Sequence, residues 1–206
     1  MARSARSAGN LFPPAPAGLR VGLYGGSFNP LHQGHMHVAQ TALTRLDLDA
    51  VWWLVSPGNP LKGEAGKAGY PHRLAAVRAA LAQRPRHFVC TAEAALGTRY
   101  SIDLVRAVRA LRPAIRPVWI IGADSLATFH LWKDWRAIAN ALPIAVIARQ
   151  PGAMRARFSP MARAFAAARL PAQAAPILAD QPPPAWVYLP APLHDQSSTR
   201  IRAQHV

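Results

Sequence analysis

Short runs of consecutive apolar residues alternate along this chain with longer segments that carry apolar residues at helical spacing. Runs that are apolar throughout, rather than at every second position, are typical of parallel strands covered by helices on both faces of a sheet. We predict strands at residues 20–24, 51–55, 87–90, 117–121, 144–147 and 186–189. The alternation with helices predicts an α/β fold, Rossmann-like and doubly wound, with a mostly parallel sheet.

Apolar residues three and four positions apart mark the helices between these strands. We predict helices over 34–46, around 74–81, from an N-cap at Ser101 to Leu111, and over 158–169. A last helix is predicted to open at Ser197 and to carry the sequence Ser-Ser-Thr-Arg-Ile-Arg. Residues 1–18, rich in Arg, Ser, Ala and Pro, are predicted to form a disordered tail, and residues 19–206 a single domain.

The charge balance of the chain predicts an anionic partner. Its 206 residues hold 24 Lys and Arg against 9 Asp and Glu, a formal net charge of +15, and all but three of the cations are Arg. The Arg guanidinium binds phosphate through two parallel hydrogen bonds, so the excess of Arg favours nucleic acid or a phosphorylated substrate as the partner. The single Cys90 cannot form an internal disulfide, so we expect a reducing, cytoplasmic setting. No apolar run approaches the roughly 20 residues that span a bilayer, so no membrane partner is expected.

A glycine turn with two nearby histidines follows the first predicted strand. The segment 25–35 reads Gly-Gly-Ser-Phe-Asn-Pro-Leu-His-Gln-Gly-His and leads into a helix. Backbone N–H groups of such a turn and the positive end of the helix both favour an anion. His32 and His35 lie three positions apart, on one side of the first turn, with Gly34 leaving room between them. Two imidazole donors there could hold phosphoryl oxygens, whereas a zinc pair lacks an obvious third ligand in register.

The segment 25–35 resembles the His-x-Gly-His signature of the nucleotidylyltransferase superfamily. Further motifs follow in order at residues 56–62, 97–103, 122–126, 129–132 and 197–202. Together they make the chain, from about residue 20 to 203, similar to the bacterial nicotinate-nucleotide adenylyltransferases. That resemblance implies that ATP and nicotinate mononucleotide react to give nicotinate adenine dinucleotide and pyrophosphate in NAD biosynthesis, with Mg²⁺ carried by ATP.

The resemblance also assigns roles to individual residues. It implies that His32 and His35 are catalytic and grip the ATP phosphates. The residues it places at ATP are Gly25, Gly26, Ser27, Phe28, Gly34, Gly122, Asp124, Ser197, Ser198, Thr199 and Arg202. Those it places at nicotinate mononucleotide are Asn59, Lys62, Thr98, Tyr100, Ser101 and Trp132. Arg73 is a further candidate for a phosphate, and no protein metal ligand is implied.

The sequence leaves two other hypotheses about the function open. Another adenylyltransferase of the superfamily would use nicotinamide mononucleotide or phosphopantetheine as the acceptor, although the motifs at 100–101 and 132 argue against phosphopantetheine. A basic nucleic-acid-binding module would also explain the net charge of +15. However, the Arg residues are scattered along the helices without a basic-aromatic recognition motif, so no nucleic acid partner is expected. The sequence does not determine the oligomeric state, and a homo-oligomer is one of the possibilities.

Overall fold

The computed structural model of the chain describes residues 11–58, 69–148 and 153–191. Within these ranges the strands are β1 (Arg20–Gly26), β2 (Ala50–Val55), β3 (His87–Cys90), β4 (Arg116–Gly122), β5 (Ile144–Ala148), β6 (Arg169–Leu170) and β7 (Trp186–Pro190). The α-helices are α1 (Gln33–Arg45), α2 (Tyr70–Leu81), α3 (Ala92–Leu96), α4 (Ser101–Leu111), α5 (Ala123–Thr128), α6 (Trp135–Ala141) and α7 (Pro160–Ala164). Shorter 3₁₀ segments lie at Phe129–Leu131, Ala153–Phe158, Ala166–Ala168 and Ala172–Asp180.

The strands form one parallel sheet in the order β3-β2-β1-β4-β5-β7-β6. From β1 the chain moves outward through β2 to β3, and it then returns to the other side of β1 for β4 and β5. This is the predicted doubly wound α/β fold, with every predicted strand present. Within the described residues, no helix is both long and apolar enough to cross a membrane.

Apolar side chains cover both faces of the sheet, as the uninterrupted apolar runs predict. Trp52 and Trp53 are adjacent on β2 and fully buried, yet they belong to two separate core clusters because neighbouring strand residues point to opposite faces. Trp53 Nε1 donates a hydrogen bond to His87 Nδ1 at 3.1 Å, which satisfies its one polar atom inside the core. Burial lowers the pKa of His87, and nearby Arg84 and Arg86 act in the same direction.

The predicted boundary of the N-terminal tail at residue 18 is wrong for the part that the structure describes. Phe12 is buried, and its ring stacks on Trp52 at a centroid distance of 5.8 Å. The thiol of Cys90 contacts Leu11 O at 3.5 Å, and Arg112 donates to Phe12 O. Residues 11–18 therefore belong to the folded domain, because the Phe12 ring in this Pro-rich segment packs on Trp52 in the core.

Two predicted helices differ from the observed ones. The segment 158–169 is not one helix, since α7 ends at Ala164 and Arg169–Leu170 pairs as β6 with β7. Pairing with an exposed strand edge has overridden the helical propensity of an alanine-rich segment. Helix α4 begins at Ser101 rather than after it, and the extended residue Tyr100 occupies the N-cap position without a side-chain cap hydrogen bond.

Candidate active site

The sheet changes its winding direction between β1 and β4, and this is where the predicted motifs converge. Tyr24 on β1 lies opposite Ile120 on β4, two residues before the strands end at Gly26 and Gly122. In open parallel sheets, ligands bind in the crevice beyond the carboxyl ends of the strands at such a switch point. The turn after β1 and the start of α5 after β4 therefore flank a candidate site.

Gly25 and Gly26 are the last two residues of β1, and the turn that follows them is shaped by the ring of Phe28. A Cβ on Gly26 would lie 3.1 Å from that ring, which is closer than side chains normally approach. Phe28 has a φ of +46°, a left-handed conformation that costs energy for a residue other than glycine. Its buried ring makes up for that cost by packing on Tyr24, Trp53 and His35 at centroid distances of 5.1 to 5.5 Å. The turn is thus held by an aromatic cluster.

The two predicted catalytic histidines lie together at the start of α1. His32 occupies the N-cap position, and its ring centroid is 3.8 Å from that of His35. The His32 backbone N–H donates to His35 Nδ1 at 3.3 Å. Since Nδ1 of His35 accepts, the neutral ring carries its proton on Nε2, which is then its donor. Gly34, buried between them, adds no side chain, so the structure brings this predicted pair together as expected.

Asp124 lies across the switch point from the histidine turn, in the first turn of α5. Its carboxylate folds back over Gly122, where a Cβ would clash with Asp124 Oδ1. Gly122 is therefore needed to let this carboxylate reach the end of β4. A carboxylate at this place can accept hydrogen bonds from nucleotide hydroxyls, whereas it would repel phosphate.

The residues predicted for the pyridine ring lie around the start of α4. Lys133 Nζ is 4.4 Å from the centroid of the Tyr100 ring, so the segment that carries Trp132 contacts the segment that carries Tyr100 and Ser101. Half-buried Trp132 packs on Phe129 at 5.1 Å. The Thr98 hydroxyl donates to Glu93 O at 3.3 Å, so towards a ligand it can act only as an acceptor.

Arg73, considered above as a phosphate contact, is bonded to backbone oxygens of two loops. It is buried, with 5% of its surface exposed, and its guanidinium donates to the backbone oxygens of Ser27, Ser56 and Pro57 at 2.6 to 2.9 Å. It therefore ties the loop after β1 to the loop after β2. Glu93, which sequence reasoning missed, lies 2.8 Å from Ser56 Oγ in the same region. No sequence signal marks these contacts, because most of the acceptors are backbone carbonyls.

Several predicted site residues lie outside the described residues. These are Asn59, Lys62, Ser197, Ser198, Thr199 and Arg202. Their assignment remains a prediction from the motifs that contain them.

Burial keeps the one cysteine inert. It raises the pKa of the Cys90 thiol to about 11, so the thiolate needed for nucleophilic chemistry is not formed near neutral pH. In the parts of the chain that the structure describes, no three His, Cys, Asp or Glu side chains cluster as metal ligands would.

Comparison with known proteins agrees with this geometry. The cytidylyltransferase-like family model matches residues 23–204. The chain belongs to this family. It is 53% identical over 186 residues to a "probable nicotinate-nucleotide adenylyltransferase" of Caulobacter sp. (strain K31), covering 90% of this chain and 98% of the relative. It is 48% identical over 192 residues to a protein of the same name from Ruegeria pomeroyi, covering 93% and 89%.

These relatives place the chain in the nicotinate-nucleotide adenylyltransferase branch of the family. A solved structure, Plasmodium falciparum nicotinic acid mononucleotide adenylyltransferase complexed with NaAD, superposes with a TM-score of 0.64. It covers 90% of this chain and 83% of the other at 13% identity, so it supports the shared fold alone.

Proposed function

We propose that this protein transfers the adenylyl group of ATP to nicotinate mononucleotide, forming nicotinate adenine dinucleotide and pyrophosphate. The observation that carries the proposal is the adjacent pair His32 and His35 beside the glycine turn at the switch point of the sheet. Relatives that share about half of the sequence and carry the name of this enzyme support the choice of substrates.

The reaction needs alignment and charge stabilisation more than a strong base. The phosphate of the acceptor, whose second pKa is about 6, is largely ionised at neutral pH. One of its oxygens attacks the α-phosphorus of ATP, a new P–O bond forms, and the bond to the β-phosphate oxygen breaks to release pyrophosphate. Negative charge grows on the phosphoryl oxygens during this in-line step. The Nε2–H of His35, together with His32, donates hydrogen bonds to those oxygens.

The other ATP contacts surround this centre. The backbone of Gly25, Gly26, Ser27 and Phe28 lines the turn, Gly34 admits the phosphates, and Asp124 beside Gly122 accepts from a nucleotide hydroxyl. From the C-terminal motif, Ser197, Ser198, Thr199 and Arg202 complete the triphosphate site. Mg²⁺ enters as part of the substrate, MgATP, because this ion keeps several waters and is bound mainly through phosphate oxygens.

The acceptor nucleotide lies between the loop after β2 and the start of α4. Asn59 and Lys62 contact its phosphate and ribose side, and Trp132 stacks on the ring. Tyr100 and Ser101, at the start of α4, surround the nicotinate carboxylate, while Thr98 lines the site beside them as an acceptor. The same proposal places the reaction in the cytoplasm, where ATP is supplied and the free Cys90 stays reduced. The proposed reaction requires no nucleic acid and no membrane, and it is compatible with a homo-oligomer.

A direct assay tests the proposal. The purified protein is mixed with MgATP and, in separate reactions, nicotinate mononucleotide, nicotinamide mononucleotide or phosphopantetheine, and pyrophosphate release is measured. We expect turnover with nicotinate mononucleotide to exceed turnover with the other two. Turnover with phosphopantetheine alone would move the chain to another branch of the superfamily. Salt-dependent duplex binding without adenylyl transfer would favour the nucleic-acid-binding module instead.

A further inference from the structure

A polar network at the carboxyl edge of the sheet fixes two substrate loops against each other. Arg73 on α2 donates to Ser27 O at 2.6 Å in the loop after β1 and to Ser56 O at 2.8 Å in the loop after β2. A third bond, to Pro57 O at 2.9 Å, holds the next residue of the second loop. Because Ser27 belongs to the turn proposed to hold ATP, Arg73 sets the position of the loop after β2 relative to that turn.

Ser56 shows which protonation state this network needs. Its Oγ lies 2.6 Å from Gly58 O and 2.8 Å from Glu93 Oε1. A hydroxyl has one proton, and a carbonyl oxygen only accepts, so Ser56 cannot donate to both oxygens at once. Both bonds form together only when the Glu93 carboxyl is protonated and donates to Ser56 Oγ, while Ser56 donates to Gly58 O.

The surroundings of Glu93 favour the protonated acid. Burial raises the pKa of Glu93 to about 7, although the Ser56 hydrogen bond and the Arg73 charge act to lower it. The groups that face Glu93 are Ser56 from the loop after β2, Arg73 and Tyr70 from α2, and Cys90 from β3. Among the described residues, Glu93 makes no ion pair within 4.0 Å. A carboxyl in this setting changes charge close to neutral pH.

We propose that Glu93 is a positioning residue that acts as a carboxylic acid, and that with Arg73 it fixes the loop after β2 in the geometry that the acceptor nucleotide requires. On ionisation the carboxylate competes for the Ser56 proton, so Gly58 O loses its donor. The carboxylate also draws the Arg73 guanidinium away from the three carbonyls that it holds. This inference rests on the proposed adenylyl transfer, since the loop after β2 leads in sequence directly into Asn59.

A comparison with Glu93→Gln isolates this effect. The Gln amide donates to Ser56 at every pH, so this variant mimics the protonated acid permanently. We measure kcat/KM for nicotinate mononucleotide at saturating MgATP between about pH 6 and pH 8.5, and we take the ratio of wild type to variant. The ratio cancels every pH effect that the two proteins share, such as the titration of the substrate phosphate. We expect it to fall roughly 3- to 10-fold as the pH rises.

Ser56→Ala provides the matched control, because it removes the hydroxyl that links Glu93 to Gly58 O. Its kcat/KM should be reduced at low pH and should approach that of the wild type at high pH, where the wild type has lost the same link. A purely structural role for Glu93 would lower activity in Glu93→Gln by the same factor at every pH. A flat ratio would therefore overturn the proposal.

A second measurement does not depend on turnover or on the variant's folding. In the wild-type protein labelled with ¹³C at the glutamate carboxyls, one carboxyl resonance should titrate near pH 7 rather than near the ordinary 4.5. A folded protein in which both glutamates titrate near their ordinary value would refute the inference. If the wild type releases no pyrophosphate with any acceptor while this resonance still titrates near 7, the proposed function fails and the protonated Glu93 stands.

Discussion

The loops after β1 and β2 are neighbours at the same edge of the sheet, yet they are held in different ways. The loop after β1 is held mainly by rings, since Phe28 packs among Tyr24, Trp53 and His35, and Arg73 adds one bond to Ser27 O. The loop after β2 is held by polar bonds, which Arg73 and Glu93 supply. Apolar packing does not depend on protonation, whereas hydrogen bonds to a titratable group do.

This difference indicates which of the two loops can respond to a change in pH. The loop after β1 keeps the packing of Phe28 on Tyr24 and Trp53 even when Arg73 releases Ser27 O, so it should move less across the neutral pH range. The loop that leads to the acceptor site should loosen as protons are lost. Substitutions in each loop test this contrast.

Phe28→Ala should have the largest effect of the variants considered. It removes a fully buried ring while leaving the strained φ of +46° in place. Phe-to-Ala changes in cores cost about 3–5 kcal/mol, and we expect a loss of this size in the free energy of unfolding, measured with urea. Phe88→Ala on the edge strand β3 is the control. Because Phe88 is 44% exposed, this variant should lose much less free energy of unfolding. Equal losses in the two variants would show that the aromatic cluster does not hold the turn.

His35→Ala should lower kcat by about 10²–10³-fold, the size seen when one donor to a developing oxyanion is lost. The fold should persist, which circular dichroism can check, because the ring is at the rim of the aromatic cluster. His72→Ala is the matched control, since this exposed histidine on α2 has no part in the turn. Near-normal turnover of a folded His35→Ala protein would remove His35 from the phosphate site.

Arg73→Met should destabilise the protein by about 2–3 kcal/mol. It keeps much of the side-chain volume but leaves three carbonyls without their donor, and a buried unsatisfied group costs about 1–3 kcal/mol. Water can still reach part of this set, which limits the total. Arg78→Met, an exposed position on the same helix, should stay within about 0.5 kcal/mol. Urea unfolding of both variants measures the difference, and equal midpoints would mean that the carbonyls find other donors at no cost.

The sheet and the histidine turn could be predicted from sequence because their signals are local. Consecutive apolar residues such as Trp52 and Trp53 predict a strand buried on both faces, and this is confirmed. The glycine turn with histidines three apart predicts their proximity, which the ring distance of 3.8 Å confirms. In both cases the residues that interact lie within one element or directly after it.

The polar network and several small elements could not be predicted, because their causes are distant in the chain. Arg73 bonds to carbonyls of Ser27 and Ser56, and a backbone oxygen leaves no trace in the residue type. Burial of Phe12 depends on Trp52, far along the sequence. Helix α3 and strand β6 are too short for a periodic pattern to emerge.

The smallest effect expected is a pH dependence of stability that originates at Glu93. Its pKa is raised from 4.5 to about 7 in the folded protein, so the folded state holds this proton more tightly than the unfolded chain does. The resulting stabilisation is full below about 4.5 and is lost as the pH rises through 7. Relative to Glu93→Gln, the wild type should therefore lose roughly 1–2 kcal/mol of unfolding free energy between about pH 6 and pH 8, the neutral part of this window.

Urea titrations of wild type and Glu93→Gln at a series of pH values measure this loss. Asp103→Asn is the control, because Asp103 pairs with Arg106 on the surface, where an ion pair contributes little to stability. A difference between wild type and Glu93→Gln that stays constant with pH would mean that Glu93 is ionised throughout. The loop after β2 would then depend on pH no more than the loop after β1 does. The two loops would differ only in that one is held by ring packing and the other by hydrogen bonds.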